Sequence, residues 1–142
     1  MFQTSWLAWA LLSAVFAALT AIFTKLGVNT INSDFATFIR TCVILVLVGG
    51  IAFFTQKFQP LSEISSKGLM FLVLSGLATG ASWLCYFRAM NLGQAAQVAP
   101  IDKLSVIFVA VFGVLVLGEK LSLTNWLGVV MITLGIILVA WK

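Results

Sequence analysis

The stretch APIDKLSVIFV (residues 99–109) sets Asp102 beside Lys103, just after Pro100, at the mouth of a long apolar run. Three more cations, Lys25, Arg40 and Arg88, fall within or beside other apolar runs. An ionisable side chain inside a membrane span costs roughly 2.5–3.5 kcal/mol on insertion scales, so by default it marks a pathway or a binding site. Cations outnumber acids in this set, which suits an anionic or zwitterionic solute. Trp83 and Tyr86 are three residues apart and would share a helix face. They read either as an anchor at the membrane interface or as the aromatic wall of a substrate cavity. The candidate substrate-binding residues are therefore Lys25, Arg40, Trp83, Tyr86, Arg88, Asp102 and Lys103.

Other chemistry is poorly supplied. The chain has no histidine and only four acids, Asp34, Glu63, Asp102 and Glu119. It contains no G-x-S-x-G, no Walker motif and no dinucleotide-binding glycine pattern. The expectation is no enzymatic activity, no bound metal and no cofactor. Eight Lys and Arg, thinly spread, make no basic stripe, so nucleic acid is not an expected partner. Membrane lipid and a small-molecule substrate are.

The elements that must hold these side chains follow from composition. Of 142 residues 62% are hydrophobic and 8% charged, with a mean hydropathy of +1.16. A soluble domain carries about 25% charged residues, so this chain lacks the polar surface to coat a particle in water. It reads as a single-domain (1–142), all-α integral membrane protein. Five apolar segments emerge, at residues 6–27, 35–55, 67–89, 95–117 and 125–141. Each is near the ~20 residues that a ~30 Å hydrocarbon core demands of a helix. Helices are required, because lipid gives backbone groups no hydrogen-bond partner and five such spans close no barrel.

Punctuation supports these limits. Ser33 or Asp34 is the expected N-cap of the second span. Gln56 to Ser66 is the longest loop, Gly118 is expected to end the fourth span, and Ser122, Thr124 or Asn125 to start the fifth. Trp126 and Trp141, about 22 Å apart along a helix, would mark two interfaces. The first segment lacks a preceding positive region and is long enough to span, so it reads as a helix rather than a signal peptide. Small residues at Ala14 and Ala18, and at Gly76 and Gly80, have the spacing that lets helix backbones approach closely. Cys42 and Cys85 lie in apolar runs and read as unpaired packing thiols.

The opening pair has two readings. If the fourth helix begins near Pro100, the proline is its first residue and Asp102 complements the positive helix end, for about 0.3–1 kcal/mol. Lys103 would then snorkel to the headgroups. If it begins near Ala95, Asp102 lies about 10 Å inside and needs a partner, with Lys25 or Arg88 nearest by side.

Orientation is weakly encoded. Lys57, Lys67 and Lys120 stand on one side of a five-span topology, and Lys25, Arg40, Arg88, Lys103 and Lys142 on the other. That is no clear excess, because several of the latter lie near the membrane boundary. Carriers built from inverted repeats bind substrate between two halves of opposite topology. A single odd-helix unit would make that architecture by inserting both ways and pairing as an antiparallel homodimer.

The stretch YFRAMNLGQAAQVAPIDKLSVIFVAVFGVLVLGEKLSLTNWLGVVMITLGIILVAW resembles the second half of an EamA domain of the drug/metabolite transporter superfamily. The telling parts are the Ala-rich start of the fourth span with its internal proline, Leu-Gly-Glu-Lys-Leu at residues 117–121, and the Gly128 and Gly135 spacing. Thr24-Lys25 and Phe38-Ile39-Arg40 are compatible with the first half. The resemblance implies one five-helix repeat of a fold that commonly carries two, and a longer fourth helix with Asp102 inside the membrane. It implies secondary-active transport, with export of amino acids or related metabolites by alternating access as the leading expectation. A non-transporting membrane subunit or assembly partner, and a flippase for lipid-linked carriers, are the alternatives. Related four-helix small multidrug exporters use a membrane-embedded glutamate in their first helix. This chain has Lys25 there and no acid, which disfavours export of lipophilic cations by that route.

Overall fold

The computed structural model describes residues 6–141. The terminal Lys142 of the charge comparison lies outside them. Among the described residues, five helical spans are long and apolar enough to cross a bilayer, and the fourth is broken into two helices. α1 covers Trp6–Gly27, α2 Ser33–Phe54 and α3 Ser66–Leu92. The fourth span is α4 (Ala95–Asp102) followed by α5 (Ser105–Val116), and the fifth is α6 (Leu123–Ala140). Most large apolar side chains on these helices are exposed, with Phe54 at 85%. So extended an apolar surface would drive association in water; against lipid tails it is the natural covering.

The chain divides into two compact units. One comprises Phe23–Asn91, and the other Leu92 onward together with the part of α1 up to Ile22.

In the Phe23–Asn91 unit, α2 opens on Asn32, whose Oδ1 accepts hydrogen bonds from the amides of Asp34 (2.9 Å) and Phe35 (3.3 Å). The cap is thus Asn32 rather than Ser33 or Asp34. Asparagine caps as well as serine or aspartate do, and its position lets helix begin at Ser33. Asp34 is left in the first turn, where its charge complements the exposed amides. α3 starts behind Ser65, whose Oγ accepts from the amide of Gly68 at 3.1 Å. It runs three residues past the expected Ala89, because its end is tied to the end of α1. Lys25 donates from Nζ to the carbonyl oxygen of Met90 at 2.8 Å, and Asn91 donates from Nδ2 to that of Val28 at 3.1 Å. Each helix end therefore supplies a donor for a carbonyl that the other cannot satisfy internally. Thr24, Val28, Thr37, Phe87 and Met90, all buried, gather at this end of the unit.

In the second unit, α6 packs against both α4 and α5. Pro100 has no N–H to give the carbonyl of Ala96 one turn back. The helix continues to Asp102 and then tightens. Lys103, Leu104, Val106 and Ile107 each donate to the carbonyl three residues earlier, at 2.9–3.0 Å. Such a 3₁₀ stretch within a span marks a hinge or a strained turn. After α5, Gly118 adopts φ +71°, a conformation glycine takes without steric cost. The chain then folds back, so that the amide of Glu119 donates to the carbonyl of Gly113 at 3.0 Å. A side chain at buried Gly113 would meet the Glu119 carboxylate, whose Oε2 stands 2.7 Å from the position of an added Cβ. Ser122 caps α6 by accepting from the amide of Asn125 at 3.2 Å.

Candidate functional site

The candidate residues separate between the two units. Lys25, Arg40, Trp83, Tyr86 and Arg88 belong to the Phe23–Asn91 unit, and Asp102 and Lys103 to the other. The first group lies where α1 and α3 end and α2 begins.

α2 carries Arg40 about 10 Å along from its start at Ser33. On α3, Trp83, Phe87 and Met90 recur at helical spacing and form one stripe. The Arg40 guanidinium carbon stands 4.2 Å from the centroid of the Trp83 ring and 5.4 Å from that of Phe87. Both lie within the ~6 Å over which a ring face attracts a cation. Phe87, four residues on from Trp83, therefore joins it beside Arg40, and Tyr86 is an electrostatic neighbour of the same guanidinium. The Tyr86 ring meets Phe87 edge to face at 6.5 Å. Phe87 escaped notice because a phenylalanine among twelve carries no signal of its own; its i+4 relation to Trp83 was the available clue.

Arg88 approaches Asp34 through one nitrogen, with Nη2 at 3.3 Å from Oδ1 and 3.2 Å from Oδ2. Both side chains are at least half exposed, so in water the pair would contribute about 0–1 kcal/mol. Asp34 is the second residue missed, since as a candidate N-cap it had a sufficient local role. Lys25 is committed to Met90 as described above, placing a positive charge on the negative end of α3.

Within its own unit Asp102 pairs with Lys103, Nζ to Oδ2, at 3.0 Å. Lys103 is the C-cap of α4, and its long side chain reaches the carboxylate beside it. The longer fourth span, starting at Ala95, holds, and Asp102 closes its first half.

The electrostatic balance of the α1–α2–α3 end is uneven. Three cations face a single acid, Asp34, and Arg88 already engages it. Among the described residues no carboxylate pairs with Arg40. A guanidinium within a span costs roughly 2.5–3.5 kcal/mol. Ring stacking returns about 0.5–1 kcal/mol at an exposed site and ~2 when desolvated. The aromatic shelf thus offsets part of the cost. No group of histidine, cysteine or acidic side chains suited to a metal exists among the described residues.

Of the proposed packing residues, Ala14 and Ala18 are exposed on α1. Nothing lies within 4 Å of a Cβ added at Gly76 or Gly80, so within their own unit these glycines meet no neighbour. Cys42 and Cys85 are free thiols, and both are exposed rather than packed inside.

Residues 4–141 match the model of the EamA-like transporter family. A Sinorhizobium protein described as an uncharacterized transporter in the cobO 3′ region is 63% identical over 136 residues, covering 96% of each chain. A Yersinia pestis protein described as a probable 4-amino-4-deoxy-L-arabinose-phosphoundecaprenol flippase subunit, ArnE, is 28% identical over 83 residues. That match covers 58% of this chain and 73% of the relative, and proteins of the same description from Yersinia pseudotuberculosis match equally. No solved structure matches. With five helices able to span a bilayer and a family match over nearly its whole length, the chain belongs to the EamA-like transporter family and is an integral membrane protein.

Proposed function

We propose that the protein is a secondary-active exporter of small anionic or zwitterionic metabolites, amino acids or related compounds, in a bacterial inner membrane. The observation that carries this reading is the excess of cations where α1, α2 and α3 meet, with Arg40 on an aromatic shelf and no acid paired to it. Two copies inserted in opposite directions would form the carrier, with substrate between them and access alternating as one protomer rocks on the other. Two features support the pairing. The lysines and arginines set no firm orientation, and of the small-residue faces Ala14–Ala18 is exposed while Gly76–Gly80 meets no neighbour in its own unit. The purified protein in liposomes tests the proposal. Gradient-driven flux of an anionic or zwitterionic solute is expected, and absence of flux with a tightly co-purifying membrane partner would overturn it.

A second reading is favoured by the ArnE-like relatives, whose description names a flippase subunit. In it the chain works with a partner to flip a lipid-linked carrier, and the cationic, aromatic end of the Phe23–Asn91 unit meets the phosphate. Transbilayer movement of a fluorescent isoprenyl phosphate, present only when a second membrane protein is co-reconstituted, would support this over metabolite export.

A further inference from the structure

We infer that Arg40, laid on Trp83 and Phe87, is the residue that reads the transported molecule, by binding one oxyanion, a carboxylate or a phosphate, edge-on to its guanidinium. The inference deepens the transport reading by assigning the ligand's anchoring group and the side chain that takes it. Lys25 and Arg88 already have partners in the carbonyl of Met90 and the carboxylate of Asp34. Arg40 has neither kind of partner: among the described residues no carbonyl or carboxylate takes its N–H groups, and its electrostatic neighbour is the Tyr86 side chain. Its guanidinium carbon lies over two rings, at 4.2 and 5.4 Å. A guanidinium carries five N–H donors in a fork matched to a planar or tetrahedral oxyanion, and no described acceptor takes them up. The stacking also holds the fork still before the ligand arrives, so less side-chain freedom is lost on binding. The side chain is half-buried, open enough to be reached and enclosed enough that a charge-assisted bond is poorly screened.

An oxyanion of this kind has two sources, a soluble solute or a lipid headgroup, and the test separates them. Trp83 is itself the reporter. With the other four tryptophans replaced by phenylalanine, its fluorescence is titrated in phosphatidylcholine nanodiscs. One arm adds soluble inorganic phosphate or acetate, and the other incorporates an isoprenyl phosphate into the disc. A saturable change is expected in at least one arm, and the arm that responds names the source. Arg40→Gln should weaken it by about tenfold or more, the loss of a hydrogen bond to a charged group. Lys67→Gln, an exposed cation at the opposite end of α3, should shift it by about twofold at most. Arg40→Lys keeps the charge without the planar fork and serves if Arg40→Gln does not fold; a several-fold weakening is expected. The inference is overturned by no saturable change in either arm, or by affinity unaltered in both Arg40 variants. Saturable Arg40-dependent binding in a protein that shows no flux would sink the transport reading and leave the site standing. Flux that persists with no Arg40-dependent binding would do the reverse.

Discussion

If Arg40 is kept for an anion rather than for the fold, removing its charge should stabilise the empty protein. Arg40→Met deletes a cation whose place in a span costs roughly 2.5–3.5 kcal/mol and preserves a long apolar stem. It also gives up the stacking on Trp83 and Phe87, about 1 kcal/mol for a half-buried pair. Because the side chain is only about 10 Å from the start of α2, part of the cost is already relieved by reaching towards the interface. The net expectation is a gain of about 1 kcal/mol, a roughly fivefold shift in the unfolding equilibrium. A double-mutant cycle with Trp83→Leu isolates the stacking itself. The nearer ring, at 4.2 Å, is removed while Phe87 remains at 5.4 Å, so a coupling energy of about 0.5–1 kcal/mol is expected. The four proteins would be unfolded by SDS titration in bicelles at one fixed protein concentration, followed by circular dichroism. The reasoning is refuted if the two changes add within ~0.3 kcal/mol, or if Arg40→Met loses stability, for then Arg40 is a structural pin.

Two further outcomes test the local structure. Asn32→Ala should destabilise α2 by about 1 kcal/mol, whereas Ser33→Ala should be nearly silent; equal effects in the same SDS titration would return the cap to Ser33. Gly118→Ala forces an L-residue to φ +71° and should cost about 1–2 kcal/mol. Gly113→Ala meets only the mobile tip of Glu119 and should cost less than about 0.5 kcal/mol; the reverse order would show that the turn is held by the carboxylate rather than by the backbone.

The spans were legible because their limits are written locally. Gly118 and Ser122 stop or start helices through their own backbone or hydroxyl chemistry. The break in the fourth span was announced by Pro100 but falls at Lys103–Leu104. The proline removes a bond from the turn before it, and the chain recovers by tightening the turn after. Lys25, Arg40, Trp83 and Arg88 stood out as costly or amphipathic side chains in apolar runs. Asp34 and Phe87 did not, because their roles exist only once α2 lies against the last turns of α3. For Asp102 the sequence pointed by membrane side to Lys25 or Arg88, while the pair within its own unit is its neighbour Lys103, which a long flexible side chain makes possible.

The central claim is that the carrier is completed by a second copy facing the other way. Its most direct test is a single cysteine at Lys57, beyond the end of α2, in a protein whose exposed Cys42 and Cys85 are replaced by serine. In sealed native vesicles, a membrane-impermeant thiol reagent applied from each side in turn should label comparable fractions of the protein. Labelling confined to one side would contradict the account.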